Sequence, residues 1–295
     1  MERTSDKLMV GESYEPLKLR LSKEILKQFQ HALDCSNPRF QEISFPGILF
    51  SFCSITQSPS FILNDGVAAV GAKFDTVFYK ILKMDETYLI EWVVVNVYER
   101  RSRTYQVCDV KVTDSEGEIV LVRRINNTFI GGEYLERRVS WEKETGYRRA
   151  VMVNEFPVQG YEIIGKSKII NQEKLRYYSG GLPGTKWPSR NIHTDREISI
   201  RSGVGKPIAS GMMFESYLTE LLGSFFGEDF FINASTSVVA IDMAGDGDTI
   251  IPKMSLKNNF TNNDQTNVEF ELWCENQYGN RIMVGSGIKK SRFSI

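Results

Sequence analysis

The feature that most constrains this chain is its self-similarity. Thr87–Val95 and Tyr105–Val112 are β-branched and aromatic-rich and read as strands, joined through the turn Asp114-Ser115-Glu116-Gly117 to a third at Ile119–Val122. The same order returns in the second half. Thr249–Met254 is followed by Asn267–Trp273, a turn at Tyr278-Gly279-Asn280, and Arg281–Val284. Thr87 to Gly117 spans 30 residues, and so does Thr249 to Gly279. A constant shift of 162 also lays Asp75–Tyr79 over Ser237–Ile241, a further strand candidate in each half. With 295 residues, a repeat at about half the chain length predicts two copies of one antiparallel sheet module rather than a solenoid.

The helices set the halves apart. Gly211–Gly227 is apolar around most of its circumference, the pattern of a helix buried on all sides, as when a curved sheet wraps it. The first half offers a shorter amphipathic helix, Lys23–Leu33, with Ile25, Leu26, Phe29 and Leu33 at helical spacing. Phe40–Val70 is broken by Pro46, Gly47, Pro59 and Gly66, so the first module is expected to lack a full central helix and to leave a groove in its sheet for a long ligand. The charged stretch Glu133–Arg149 reads as a solvated connection, and the boundary is drawn with modules at 1–145 and 146–295.

Composition narrows the function classes. Thirty-six basic residues against 37 acidic ones leave no global field to gather nucleic acid or an anionic membrane. No apolar run approaches the roughly 18 residues needed to span a bilayer. The opening Met1–Lys7 has no apolar segment behind it, so a cytoplasmic protein is expected. Cys35, Cys53, Cys108 and Cys274 are widely spaced, and His31 and His193 are the two histidines. Neither set has the spacing of a disulfide framework or a metal site, so no metal is expected.

The chemistry is expected between Tyr177 and Thr219. Here run Trp187-Pro188-Ser189-Arg190-Asn191-Ile192-His193-Thr194-Asp195, then Gly203, then Pro207-Ile208-Ala209-Ser210-Gly211-Met212 at the start of the apolar helix. This segment resembles the MaoC-like dehydratase family, whose string is Asp-x-Asn-Pro-x-His-x-Asp, with ten residues from His to Gly and then a Pro-Ile-Ala-His-Gly-Met-like stretch. His193 and Gly203 have that interval, Asp195 matches the second acid, and Gly247-Asp248-Thr249 resembles the family's Gly-Asp-Thr turn. The resemblance implies an α+β fold of two fused hotdog modules, with the long buried helix in the C-terminal one. Asp34–Phe40 resembles a worn copy of the string in the first module, read as structural.

One departure stands out. Aligned without gaps, the family's catalytic Asp falls on Pro188 and its Asn on Arg190; a one-residue deletion puts Ser189 and Asn191 there instead. Neither register supplies a carboxylate. The resemblance implies an (R)-specific enoyl-CoA hydratase or 3-hydroxyacyl-thioester dehydratase that uses no redox cofactor, with His193 moving the proton and the Gly211 N–H holding the thioester oxygen. An imidazole titrates near neutrality, and a helix N-terminus has unpaired amides and a favourable dipole. A hydrogen-bonded structural histidine and a glycine kept for helix–strand packing are the competing readings. Ser189, Arg190, Asn191, Ser210 and Thr219 are the candidate substrate-binding residues. Arg190 also reads as a solvated arginine, and Thr219 either orients His193 or back-bonds within its helix. Glu215, the early acid on that helix, is expected to face solvent.

The implied partner is an acyl-CoA, favoured over acyl carrier protein, with a homodimer as the family's usual assembly. The alternative function is a non-catalytic acyl-thioester-binding protein or subunit, for which the absent Asp is the best argument. A thioesterase on the same fold would want an acid or nucleophile on the central helix.

Overall fold

The computed structural model describes residues 8–35, 40, 43–44, 47–52, 66–131, 160–181, 189–262 and 265–291. The first half contains β1 (Leu17–Arg20), α1 (Lys23–Ala32), β2 (Ile43–Ser44), α2 (Gly47–Phe52), β3 (Ala68–Phe78), β4 (Leu82–Lys83), β5 (Thr87–Arg100), β6 (Arg103–Thr113) and β7 (Ile119–Ile130). The second contains β8 (Glu162–Ile164), β9 (Lys168–Ile169), α3 (Gln172–Ser179), α4 (Arg196–Arg201), α5 (Gly211–Phe226), β10 (Ala234–Ala240), β11 (Thr249–Asn262), β12 (Gln265–Asn276) and β13 (Arg281–Ser291). The boundary drawn at 145/146 lies outside the described residues.

One 11-stranded sheet runs β1-β5-β6-β7-β3-β10-β13-β12-β11-β8, with β9 also on β11, and the small β2-β4 pair stands apart. Each half contributes the same antiparallel order, and β3 joins β10 edge to edge, which removes one exposed edge from each module. Strands β5, β6 and β7 begin 162 residues before β11, β12 and β13. The irregularities repeat too. The register shift between Val94 and Asn96 returns between Leu256 and Asn258, and the one between Val112 and Thr113 returns between Cys274 and Glu275. A bulge bends its strand and raises the local twist, so repeating both bulges gives the two sheets the same curvature.

The local two-fold axis passes between Asp75 and Ser237. These residues are equivalent under the shift, face each other in the β3–β10 register, and are joined by a 2.5 Å hydrogen bond from Ser237 Oγ to Asp75 Oδ1. A repeat that pairs antiparallel to itself must meet its own copy at the axis.

Helix α5 lies in the concavity, against β3, β11, β12 and β13. Met212–Gly223 is continuously buried, as its all-round apolarity predicts, and each large apolar side chain there contributes about 1.5–3 kcal/mol. Gly227 ends the helix at φ 73°, a left-handed conformation that L side chains rarely adopt. Helix α1 follows its predicted span, capped by the Ser22 hydroxyl at the Ile25 N–H, and packs on α3.

The expected groove in the first sheet is not present among the described residues. Every residue of α2 is buried, with Ile48, Leu49, Phe50 and Phe52 in the core, and α2 packs directly on α5. The Ser216 hydroxyl lies 3.0 Å from the Gly47 carbonyl across that contact. The bulky aromatics of α2, Phe50 and Phe52, fill the space against α5. Of the worn motif copy, Asp34 pairs with Lys174 of α3 at 2.5 Å and Phe40 is buried beside Phe231; positions 36–39 lie outside the described residues.

Candidate active site

The segment 189–195 is a loop whose polar side chains are spent largely on itself. Asn191 accepts the His193 N–H at Oδ1 (2.9 Å) and donates from Nδ2 to the Ser179 carbonyl at the end of α3 (2.8 Å). Thr194 Oγ1 donates to the Ser189 carbonyl and receives the Asn191 N–H. Asp195, the matched second acid, is the N-cap of α4: Oδ1 accepts from the Glu197 and Ile198 amides, and Oδ2 pairs with Arg190 Nε at 2.6 Å. The Arg190 hydrogen bond, with the Ile198 amide, holds the Asp195 carboxyl below its ordinary range. Arg190 remains largely exposed, and Ser189 is exposed.

His193 is half-buried, and its Nδ1 lies 2.8 Å from the Ile208 carbonyl oxygen. A carbonyl can only accept, so Nδ1 carries the proton and Nε2 keeps its lone pair. Burial lowers the imidazole pKa below its usual value, opposed by that hydrogen bond, so the neutral ring prevails at neutral pH.

The carbonyl that orients His193 is itself fixed. Ile208 bridges to Gly245, Ala209 N–H donates to the Ala244 carbonyl at 2.8 Å, and Asp246 N–H donates to the Pro207 carbonyl. Asp248 of the Gly-Asp-Thr turn accepts from the Gly245 N–H and pairs with Lys206 at 2.8 Å, closing this support. Three residues beyond Ile208, α5 begins. Ser210 is its N-cap and accepts the Met212 N–H, while the Gly211 N–H, first in the helix, has no partner within it. The imidazole and the amide end of α5 are thus tied to one short segment.

The first module holds this assembly in place. Ala68 of β3 and Ile130 of β7 form a small apolar cluster with Ile192 and Ile208, and residues 201–202 at the end of α4 abut Gly66 and Gly131. Gly211 packs against the first module as well: a Cβ there would lie 2.9 Å from Phe74 Cε2 and 3.1 Å from the Gly71 carbonyl oxygen. The helix–strand packing reading of Gly211 therefore has direct geometric support, and it does not compete with use of the N–H.

Two residues sit differently from expectation. Thr219 is fully buried and its hydroxyl donates to the Glu215 carbonyl one turn back at 2.8 Å, so it back-bonds within α5 instead of orienting His193. Glu215 does not face solvent. It is fully buried, with Oε2 2.5 Å from Arg123 Nη2 of β7 and Oε1 accepting from Thr76 of β3 at 2.9 Å. Burial pushes its carboxyl up, against the pull of Arg123 and Thr76. Arg123 is also stacked 3.9 Å over the Phe50 ring, and its Nε and Nη1 have no hydrogen-bond partner among the described residues. Sequence reasoning missed this pair, although alternation offered a signal: Arg123 has the inward parity of Leu121 and Ile125.

No family model matches the sequence, and no curated protein does. Solved structures do match. A MaoC-like dehydratase superimposes with TM-score 0.70 at 14% identity, covering 97% of this chain and 98% of that one. Another, from Phytophthora capsici, gives 0.64 at 16% identity over 98% of both chains. A Mycobacterium tuberculosis protein described as a double hotdog gives 0.59 at 10% identity over 96% of both. Near-complete coverage in both directions, together with the repeated sheet order, the local two-fold axis and the wrapped α5, establishes that this chain has the double-hotdog fold of the MaoC-like dehydratases.

Proposed function

We propose that this protein is a hydratase/dehydratase of enoyl- or 3-hydroxyacyl-thioesters, with coenzyme A as the carrier. The observation that carries the reading is the neutral His193, its Nδ1 proton committed to Ile208 and its Nε2 lone pair uncommitted by that bond, on the segment that launches α5. In the hydration direction, Nε2 takes a proton from water as the hydroxyl adds to Cβ. Electron density moves from the C=C bond onto the thioester oxygen, stabilised by the Gly211 N–H and the positive end of α5. The imidazolium then returns its proton to Cα, so one water supplies both added groups and the ring ends as it began. Dehydration is the reverse.

A second reading has its own support. Asp195 is engaged by Arg190 and by two α4 amides, so it is not free to serve as the family's missing carboxylate, and Asn191, an amide bound to the loop and α3, supplies no acid. A protein that binds acyl thioesters without transforming them fits that arrangement. Incubation with a panel of trans-2-enoyl-CoAs decides between the two. Loss of the conjugated thioester absorbance without release of free thiol is the expected result. Binding with neither change would leave the binding protein, and thiol release would reassign the reaction as thioester hydrolysis.

A further inference from the structure

We infer that the acyl group accepted beside Gly211 is short and that Phe74 sets the limit, an inference that rests on the acyl-thioester reading above. A thioester whose carbonyl oxygen sits on the Gly211 N–H must send its bulky, charged carrier toward solvent. Its acyl group then runs inward, between the start of α5 and the first module's sheet. That route is filled by side chains.

Phe74 of β3 is fully buried and folds back over Gly71, beside the register shift between Gly71 and Lys73. The same ring touches the helix start, where a Cβ on Gly211 would come within 2.9 Å of it. Behind Phe74 stands the Arg123 guanidinium, 5.7 Å from the ring centroid, held by Glu215 on one side and stacked on Phe50. An alkyl chain passing Phe74 would have to displace an aromatic ring and then lie against a buried ion pair. Hydrocarbon cannot replace the hydrogen bonds such a pair needs. In an open apolar tunnel each further methylene would favour binding about fourfold; here added length meets occupied space and buried charge, and the trend reverses.

The test measures dissociation constants of butyryl-CoA and decanoyl-CoA, and kcat/KM for crotonyl-CoA and trans-2-decenoyl-CoA. It uses the wild-type chain, Phe74→Ala, and Phe74→Leu as a milder variant should the alanine one fail to fold. The wild type is expected to favour the four-carbon ligands at least about tenfold, and a smaller residue 74 to narrow that gap by a similar factor. Equal or tighter binding of the ten-carbon ligand by the wild type overturns the inference while leaving the thioester reading intact. A gap unchanged in the folded variants overturns the role of Phe74. Absence of binding at every length would overturn the thioester reading and this inference together.

Discussion

The two modules share the order and spacing of their three long strands and diverge in what they place inside the sheet. The three long strands, their two bulges and the position at the local axis repeat at a separation of 162, yet α5 carries a histidine loop before it, whereas the described part of α2 is packed with phenylalanine. At the place in the first module where its worn motif would carry a histidine stands Phe40, buried under α5: its Cζ would lie 2.8 Å from a Cβ on Gly223. The comparison teaches that one copy carries a histidine on its loop, while in the other Phe40 is packing and Asp34 is taken up by Lys174. The first module's contribution to the site is a wall: Phe74, Ala68 and Ile130 position what the second module carries.

The sharpest way to break that division of roles is a pair of matched truncations. His193→Ala is expected to lower enoyl-thioester turnover by about 10²- to 10⁴-fold, with a stability change near the ~1 kcal/mol of one hydrogen bond. Phe40→Ala is expected to do the opposite, costing about 3–5 kcal/mol in denaturant unfolding with kcat little changed. Equal effects of the two on turnover would end the distinction.

The ion pair across the modules gives the next effect. Arg123→Leu leaves the Glu215 carboxylate buried without its cation and is expected to destabilise by about 3–5 kcal/mol. The double variant Arg123→Leu/Glu215→Met should recover most of the loss, because removing both charges removes the desolvation cost with them. Urea denaturation of the four chains measures this. A double variant as unstable as the single one would mean that the pair is not what holds α5 to the first sheet.

The smallest effect concerns pH. With the His193 pKa lowered by burial, kcat/KM should rise along an acid limb whose midpoint lies below the ordinary histidine value near 6.5, and be flat above it. For stability, the folded state binds fewer protons than the unfolded one as pH falls through about 6.5. His193 therefore contributes stability that is present above that pH and declines below it, until the folded pKa is passed. His193→Gln should flatten both profiles in that window. A midpoint near 6.5 would point to a hydrated ring, and one above it to an imidazolium held by a negative charge or to a different titrating group.

Much of this was legible in the sequence, and the reason is periodicity. Alternation from Thr87 to Val122 and its return from Thr249 to Val284 located the long strands of both modules, and the all-round apolarity of Gly211–Gly227 located the buried helix. The loop was legible as a string, but the jobs of its members were not. Asp195 matched as an acid and turned out to cap α4, a six-residue helix too short to announce itself. The Ile208 carbonyl, which fixes the histidine tautomer, carries no side-chain signature at all.

By itself, then, the sequence determined what is local or periodic: two repeated antiparallel sheets, one buried helix, and, in the matched segment, one histidine with a helix N-terminus close by. The tertiary structure decided what depends on neighbours from the other half. Glu215 met Arg123 across the modules, Phe50 and Phe52 closed the space that a broken helix pattern had suggested was open, and Phe74 came to rest on Gly211. Those outcomes follow from the edge-to-edge joining of β3 and β10, which lays residues distant in sequence over the same helix. Side-chain alternation assigns a residue to the inner face, and only the three-dimensional packing says what it meets there.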